Sequence, residues 1–594
     1  MTKNSITRIF DILDLYRGDY KGIEKAFSEK RSGTWKSFSA DDYVRICDEL
    51  SLAFLEIGID KGDKIATVLH NSPEWNFIDM AIAQTGAVHV PIYPTISNDS
   101  YEFIFHDADV KHIFISHKDV YERIEPILKK SPGFKGGYSI DFKAGIPTFD
   151  ELLETGRKSD RKADLEKIKN SIKEDDLNSI IYTSGTTGMP KGVMLSHKNI
   201  LINAKATTDI LSHNPVKTGL SFLPLCHVYE RVINYTYQLS GVETYYVHDL
   251  ELIGDMIREV KPEMFCAVPR VLEKTYAKIM SKGRNLPLLS KIIFYWALRV
   301  GSQYEPWARK STWYKMKLAV ARKLVFSKWI KALGGNIDVV VSGSASLRED
   351  LARQFWAAGM QVVEGYGLTE TSPVIAVGHF VKDGVKIGCV GPILPGVEVK
   401  FTEDGEILTK SPCVMMGYYN RLDLTQEVMT EDGWLKTGDI GHMEGKYLKI
   451  TDRKKEMFKT SGGKYIAPQV VEIKLKTSPF IDNVMVVGEG KHFPAALIIP
   501  NFEHLESWCR VKGHPYDGPE KIIQNEIIIK RIQREIDELN TQLDKPEQIK
   551  KFVLLDEEWS IDNNLLSATM KLKRETLVEK YGELIEGIYD DAEL

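Results

Sequence analysis

The sequence predicts an α/β fold, and three observations carry that prediction. Short apolar runs alternate with helical stretches: Lys64 to Leu69 as a strand, Pro73 to Gln84 as a helix with Pro in its first turn, then Ala87 to Ile92 and Val110 to Ser116 as strands. Such alternation builds largely parallel sheets whose strands are buried on both faces. From about Leu177 onward, each apolar run is followed at once by a polar or glycine-containing stretch. Open α/β sheets gather ligands in that way, beyond the carboxyl ends of their strands. Finally, 594 residues exceed what one core can hold, and length alone suggests roughly four domain-sized units.

Composition narrows the class. A hydrophobic share of 43% and a charged share of 27% suit a globular protein, and a net charge of -5 gives no global reason to expect nucleic acid. Six cysteines are scattered without a C-x-x-C, which argues against a disulfide framework or a zinc site and suits a reducing compartment. The first residues lack the apolar core of a signal peptide, and no apolar run is long enough to span a bilayer. A cytoplasmic protein is expected.

The first segment is expected to be scaffold. The most distinctive stretch is Ile180 to His197. The apolar run Ile180, Ile181, Tyr182 reads as a buried strand. It feeds Thr183, Ser184, Gly185, Thr186, Thr187 and Gly188, then Lys191 and a second apolar run, Val193 to Leu195. Glycines let backbone amides converge, hydroxyls add donors and Lys191 adds charge, which together make a phosphate-gripping loop. A flexible linker would not sit between two apolar runs. A Walker A loop fails, because Lys191 follows Pro190 and precedes Gly192.

Further strands lead into further polar stretches. Leu220 to Leu223 runs into Pro224, Leu225, Cys226, His227, Val228, Tyr229 and Glu230; Met264 to Val268 into Pro269 and Arg270. Ile337 to Val341 runs into Ser342 to Ser346, and Gln361 to Val363 into Glu364, Gly365, Tyr366, Gly367, Leu368, Thr369 and Glu370. Each has a bland alternative. Ser344 or Ser346 could simply cap a helix. Leu347 rules out a nucleophile elbow, and a missing third glycine rules out a dinucleotide fingerprint after Glu364. His227 alone would more often be structural. Thr437, Gly438 and Asp439 offer a carboxylate in a tight turn, suited to paired ribose hydroxyls. The charged run Asp452 to Glu456 reads as a solvated linker that can also serve as a hinge.

In this order and spacing the motifs resemble those of the AMP-forming acyl-CoA synthetases, within the adenylate-forming superfamily, over nearly the whole chain. The resemblance implies a large N-terminal domain, 1–454, of parallel-rich sheets, helices and a small β-barrel-like part. It implies a small mobile α+β C-terminal domain, 455–594, hinged at Lys455. By the same resemblance Thr183 to Gly188 and Lys191 grip the ATP phosphates, and Thr183 and Glu370 hold Mg²⁺. Ser344, Ala345, Gly365, Tyr366 and Gly367 line the adenine slot, Thr369 lies beside the α-phosphate, and Asp439 binds the ribose with help from Arg453. Lys459 and Gly463, on the Ser461 side, complete the expected cofactor-binding set. His227 joins Thr183 and Glu370 in the catalytic set.

The chemistry explains these residue types. A carboxylate attacks a polyanion poorly and the acyl-AMP product hydrolyses in water, so the site must neutralise charge, aim the carboxylate and exclude water. The last component is a lysine near the C-terminus. Many relatives have Gly before it, whereas Met570 stands here; the long-chain pattern Thr-x-Lys-x-Lys-Arg selects Lys571 and leaves Lys573 as a rival. The C-terminal segment otherwise reads as mixed α/β: strands at Asn483 to Val487, Ala495 to Ile499 and Lys551 to Leu555, and an amphipathic helix through Ile529, Ile532, Ile536, Leu539 and Leu543.

Residues 282–331 hold twelve lysines and arginines against one acid, Glu305, interleaved with four tryptophans. A basic, Trp-rich helical stretch can lie on an anionic bilayer. It can equally be an amphipathic hairpin packed on its own domain. This insertion, with the His227 stretch, resembles the long-chain members, so the expected activity is long-chain fatty acid:CoA ligation with ATP, Mg²⁺ and CoA. The alternatives are an acyl-AMP ligase that loads a carrier protein, a synthetase for an aryl or shorter acid, and, from another class, a non-catalytic nucleotide- or lipid-binding scaffold.

Overall fold

The computed structural model describes residues 5–142, 145–183, 189–561, 563–567 and 570–590. Two large sheets dominate. In the seven-stranded sheet the order is Gly417–Tyr418, Lys191–Ser196, Leu177–Thr183, Val88–Pro91, Lys64–Val68, Val110–Ile115 and Gly136–Ser139. It is parallel from Leu177–Thr183 outward, and antiparallel across the Leu177–Thr183/Lys191–Ser196 hairpin and its neighbour. The eight-stranded sheet has a parallel centre running from Gln361–Gly367 through Val339–Ser342, Met264–Ala267, Thr218–Ser221 and Glu243–Tyr246 to Phe27–Arg31. Antiparallel edge strands, Val374–Val377 and Thr34–Phe38, close its two sides. Phe27–Arg31 comes from the start of the chain, so the two sheets are interleaved in sequence.

Two helices between the sheets explain why the first segment cannot be mere padding. Pro73–Thr85 is buried along its entire length, and so is Val228–Ser240 up to Leu239. Burying charged residues there requires saturation of their polar atoms. Asp79 accepts hydrogen bonds from Arg231 Nη2 (2.6 Å) and Tyr235 Oη (2.5 Å) and pairs with His89 Nδ1 at 2.7 Å. Arg231 Nη1 reaches Ser179 Oγ at 2.7 Å, so the network ties both helices to the 177–183 strand.

A five-stranded antiparallel sheet, with Leu435–Glu444 paired to Tyr447–Arg453, stands where a barrel-like part was expected. From Phe458 onward the chain builds its own cores around a three-stranded sheet, Ile481–Val487, Ala495–Pro500 and Lys551–Leu554. The helix Glu526–Asn540 packs with Ile528, Ile532 and Ile536 inward. Ile529, expected on that stripe, is instead exposed, because the buried face is turned by one residue.

Three other expectations change. Glu364 to Gly367 is not a loop: the strand continues to Gly367 and bends at a bulge between Tyr366 and Gly367. Gly367 is required there, since a Cβ would lie 1.7 Å from the Pro373 carbonyl oxygen. Asp439 is likewise inside a strand rather than in a turn, next to Gly438 at φ 72°. Neither Ser344 nor Ser346 caps the following helix, Glu349–Ala358, whose N-cap is Arg348.

Candidate active site

The loop expected to hold phosphate joins two paired strands, with Thr183 opposite Lys191. Ser184, Gly185, Thr186, Thr187 and Gly188 lie outside the described residues, as do Ala568 and Thr569. What flanks the loop is defined. Tyr182 Oη donates to Asp107 Oδ2 at 2.6 Å and fixes the strand before it. Lys191 Nζ lies 5.4 Å from the centroid of the Tyr418 ring, and Tyr418 Oη donates to Glu370 Oε1 at 2.7 Å. Thr183, Lys191, Tyr418 and Glu370 therefore form one connected wall. Tyr418 carries no motif signal; it is found only because its strand pairs beside Val193.

Next to this wall, Tyr366 Oη donates to Asp439 Oδ2 at 2.8 Å, and Arg453 Nε pairs with Asp439 Oδ1 at 3.2 Å. The register that sets Asp439 opposite Arg453 in the antiparallel ladder makes this pair. Burial raises the Asp439 carboxyl, with Arg453 opposing the rise. Ser344 adopts φ 71°, and Gly343 before it packs on Tyr229, whose ring would meet a Cβ at 2.9 Å. Ala345 is exposed at the same strand end, and Thr369 is buried in a short turn before Glu370. Gly365 faces only ordinary contact with Val377, so no steric need selects glycine there.

His227 caps the Val228–Ser240 helix: its Nδ1 accepts from the Tyr229 backbone amide at 3.2 Å. Its loop is clamped by Asn71, whose amide donates to the Leu223 carbonyl (2.6 Å) and accepts from Leu225 N (3.1 Å). Burial and the charge of Lys571 lower His227 to about 4. The ring is thus neutral near pH 7 and, with Nδ1 accepting, carries its proton on Nε2.

Lys571 therefore reaches the same place from the far end of the chain. It interacts electrostatically with Arg453, Asp439, Glu456 and His227. Although the residue is solvent-accessible, its cleft is crowded. Desolvation and then Arg453 lower its ammonium to about 8, against the opposing pull of Asp439 and Glu456. A tight hairpin presents it: Leu566 bridges Leu572, Ser567 N donates to the Lys571 carbonyl at 2.8 Å, and Lys571 N donates to Ser567 Oγ at 3.0 Å. Met570 takes φ 59° there, a left-handed conformation that glycine adopts without strain. Lys573 is directed elsewhere and binds Asn564 Oδ1.

The charged segment 452–456 is anchored at both ends. Lys454 Nζ binds Glu406 Oε2 and Asp404 Oδ2, both at 2.7 Å. Glu456 Oε2 accepts from Arg574 Nε (3.0 Å) and Gln469 Nε2 (2.9 Å). Lys455 lies between the two anchorages. The region after it docks on the helix Pro269–Arg284: Arg270 binds Asp482, Lys274 pairs with Glu558 at 3.5 Å, and Ser281 Oγ donates to Glu503 Oε1 at 2.7 Å. Lys459 lies 5.4 Å from the Tyr465 ring in a separate small hairpin that includes Gly463, whose backbone amide donates to the Thr460 carbonyl at 2.8 Å. The hairpin's side contacts run to residues 490–492, including Ser461 Oγ to His492 Nδ1 at 2.9 Å.

Comparison with known proteins agrees with this architecture. The profile of the AMP-binding enzyme family matches residues 22–419, and that of the AMP-binding enzyme C-terminal domain matches 456–593. The chain is 32% identical over 571 residues to the long-chain-fatty-acid–CoA ligase FadD15 of Mycobacterium bovis, covering 94% of this chain and 93% of that one. Its fold is shared with the adenylation domain of a carboxylate reductase from Mycobacterium chelonae (TM-score 0.79, 21% identity, 98% and 91% covered). An anthranilate CoA ligase, AuaEII, solved with anthranoyl-AMP, shares it too (TM-score 0.73, 17% identity, 99% and 100% covered). With two matched domains and a relative of this identity along nearly its whole length, the chain belongs to the AMP-binding enzyme family.

Proposed function

We propose that the protein is a long-chain fatty acid:CoA ligase that forms an acyl-AMP from ATP and then an acyl-CoA. The observation that supports this most is the Tyr366–Asp439–Arg453 cluster, with which Lys571 interacts electrostatically as it does with His227. The acid's identity rests on the relative of 32% identity.

In the first half-reaction a carboxylate oxygen attacks the α-phosphorus and the bond to the bridging oxygen breaks, releasing pyrophosphate. Thr183 to Gly188 and Lys191 hold the departing phosphates, and Ser344, Ala345, Gly365, Tyr366 and Gly367 the adenine. Asp439 holds the ribose: Tyr366 donates to Oδ2 and Arg453 pairs with Oδ1, which leaves lone pairs for the hydroxyls. The Lys571 ammonium faces the charge that grows at the α-phosphate, where a positioned cation stabilises the transition state more than the ground state. His227, with its proton on Nε2, is a donor to the reacting acyl oxygen and not a base. Thr183 and Glu370 offer the hard oxygen donors that suit Mg²⁺, which takes few protein ligands and completes its shell with phosphate and water. Bound there, it would neutralise phosphate charge.

In the second half-reaction the CoA sulfur attacks the acyl carbon and AMP leaves with the bonding electron pair. Lys455, between its two anchorages, is the hinge of a mobile domain 455–594. Rotation there breaks the contacts to the 269–284 helix, withdraws Lys571 and brings the Lys459–Gly463 hairpin toward the site. Peripheral contact of 282–331 with a membrane belongs to the same reading. The test is acid-dependent pyrophosphate release with CoA across a series of chain lengths. The highest kcat/KM should fall on long saturated chains; a preference for aryl or short acids would overturn the substrate assignment while leaving the family intact.

A further inference from the structure

The 282–331 segment has two faces, and they divide its sequence between two roles. The helices Leu288–Gly301 and Thr312–Ala321, continued through Ser327–Ala332, pack inward through Phe294, Ala297, Leu318, Ala321, Phe326 and Trp329. That face is an ordinary domain core. The opposite face is apolar as well. On the first helix Leu288, Leu289 and Ile292 are 74%, 76% and 57% exposed. On the second, Trp313, Met316, Val320 and Leu324 follow at intervals of three or four residues, all exposed. Ten of the 22 exposed large hydrophobic side chains among the described residues lie between Leu286 and Leu324. Soluble surfaces rarely concentrate apolar side chains to this degree without a partner.

The charge around the face says which partner. The segment carries a net charge of +11 in a chain whose total is -5. Its one acid, Glu305, is already paired with Arg353 at 2.7 Å. A second copy docking face to face would bring two such fields together, which repulsion disfavours. No helix among the described residues is long and apolar enough to cross a membrane. An apolar stripe with basic flanks and an exposed tryptophan instead suits a helix lying in the plane of an anionic leaflet. We propose that this outward face docks the protein onto anionic lipid bilayers, with Leu289, Ile292, Trp313 and Met316 inserted below the headgroups and Lys315, Lys323 and Lys328 among the phosphates. This docking deepens the peripheral contact read above for 282–331 and rests on it, while its failure would leave the substrate assignment standing.

The test is co-sedimentation of the full chain with phosphatidylcholine vesicles, with and without phosphatidylglycerol. The wild type should bind the anionic vesicles, and less so as salt is raised. The combined L289Q/I292Q/W313Q/M316Q variant, all at exposed positions, should lower the partition coefficient by about a hundred-fold or more. K315Q/K323Q/K328Q should lower it by about ten-fold or more on anionic vesicles and little on neutral ones. Thermal melting and acid-independent ATP binding report that both variants remain folded. Wild type that ignores both vesicles, or a quadruple variant that binds as wild type does, would overturn the proposal. So would a self-associated wild type that the quadruple variant dissociates without any lipid binding, since the face would then be an interface between copies.

Discussion

Asp79 and Asp439 are both buried aspartates facing an arginine, yet their carboxyls shift in opposite directions. Asp79 falls to about 2 despite the desolvation that opposes the fall, because Arg231, His89 and Tyr235 saturate it. Asp439 rises, because burial outweighs an Arg453 that also faces Glu456 and Glu370. The first cluster is complete and holds two helices between two sheets. The second gives its carboxylate one hydrogen bond, from Tyr366 Oη, and one ion pair, with Arg453. A satisfied network serves stability, whereas an under-satisfied carboxylate within a strand keeps capacity for a further partner.

That contrast can be broken at either cluster. Arg231→Met should cost about 3–5 kcal/mol of stability by stranding a buried carboxylate, seen as a lower denaturation midpoint. The sign with pH follows from Asp79: its folded pKa lies below 3.8, so its stabilisation is present above about pH 4 and lost as pH falls toward about 2. The stability gap between wild type and variant should therefore be widest above about pH 4 and narrow as pH falls toward about 2; a gap that does not change with pH would mean that the Asp79–Arg231 pair is not its source. At the other cluster, Lys571→Ala should lower acyl-AMP formation by about a hundred- to a thousand-fold with the midpoint unchanged, while supplied acyl-AMP is still converted to thioester. Normal adenylation would remove Lys571 from the site.

Smaller effects sharpen the comparison. Since Lys571 sits near about 8 in the free enzyme, kcat/KM for adenylation should fall above about that pH, and the kcat limb should lie higher because bound triphosphate favours the ammonium. Coincident limbs would show that another group titrates. Arg270→Ala removes the contact with Asp482 but touches no substrate-binding residue. It should slow adenylation by about five- to ten-fold, the share of one charged docking contact, and leave thioesterification intact. Equal loss in both half-reactions would show that Arg270 supports the fold and not one domain arrangement.

The strands that flank the candidate site were readable from local pattern, because apolar runs and the turn residues that bound them are short-range signals. The 180–195 stretch, read as strand, loop and strand, is the hairpin that pairs Thr183 with Lys191. The errors have physical causes. Glycine and tyrosine at Gly365–Gly367 resemble a loop, yet the backbone stays paired because Gly367 alone lets it pass Pro373. Ile529 matched the helical period, but so did Ile528, and only packing chooses between adjacent faces. Tyr418 and Asn71 have no motif at all, and Arg270 stood only at the end of a polar stretch; each is defined by a partner far away in sequence.

By itself, then, the sequence determined the α/β alternation, the Gly/Ser/Thr stretch between two strands, the acidic and basic residue types and the family they resemble, since these depend on spacing along the chain. Tertiary structure decided what depends on distance across it. It bound Lys573 to Asn564 and left Lys571 facing Asp439 and Arg453, and it set Asp439 against Arg453 through strand register. It also split the 282–331 stretch into a packed face and an exposed one, because a helix's composition does not say which side another element will cover.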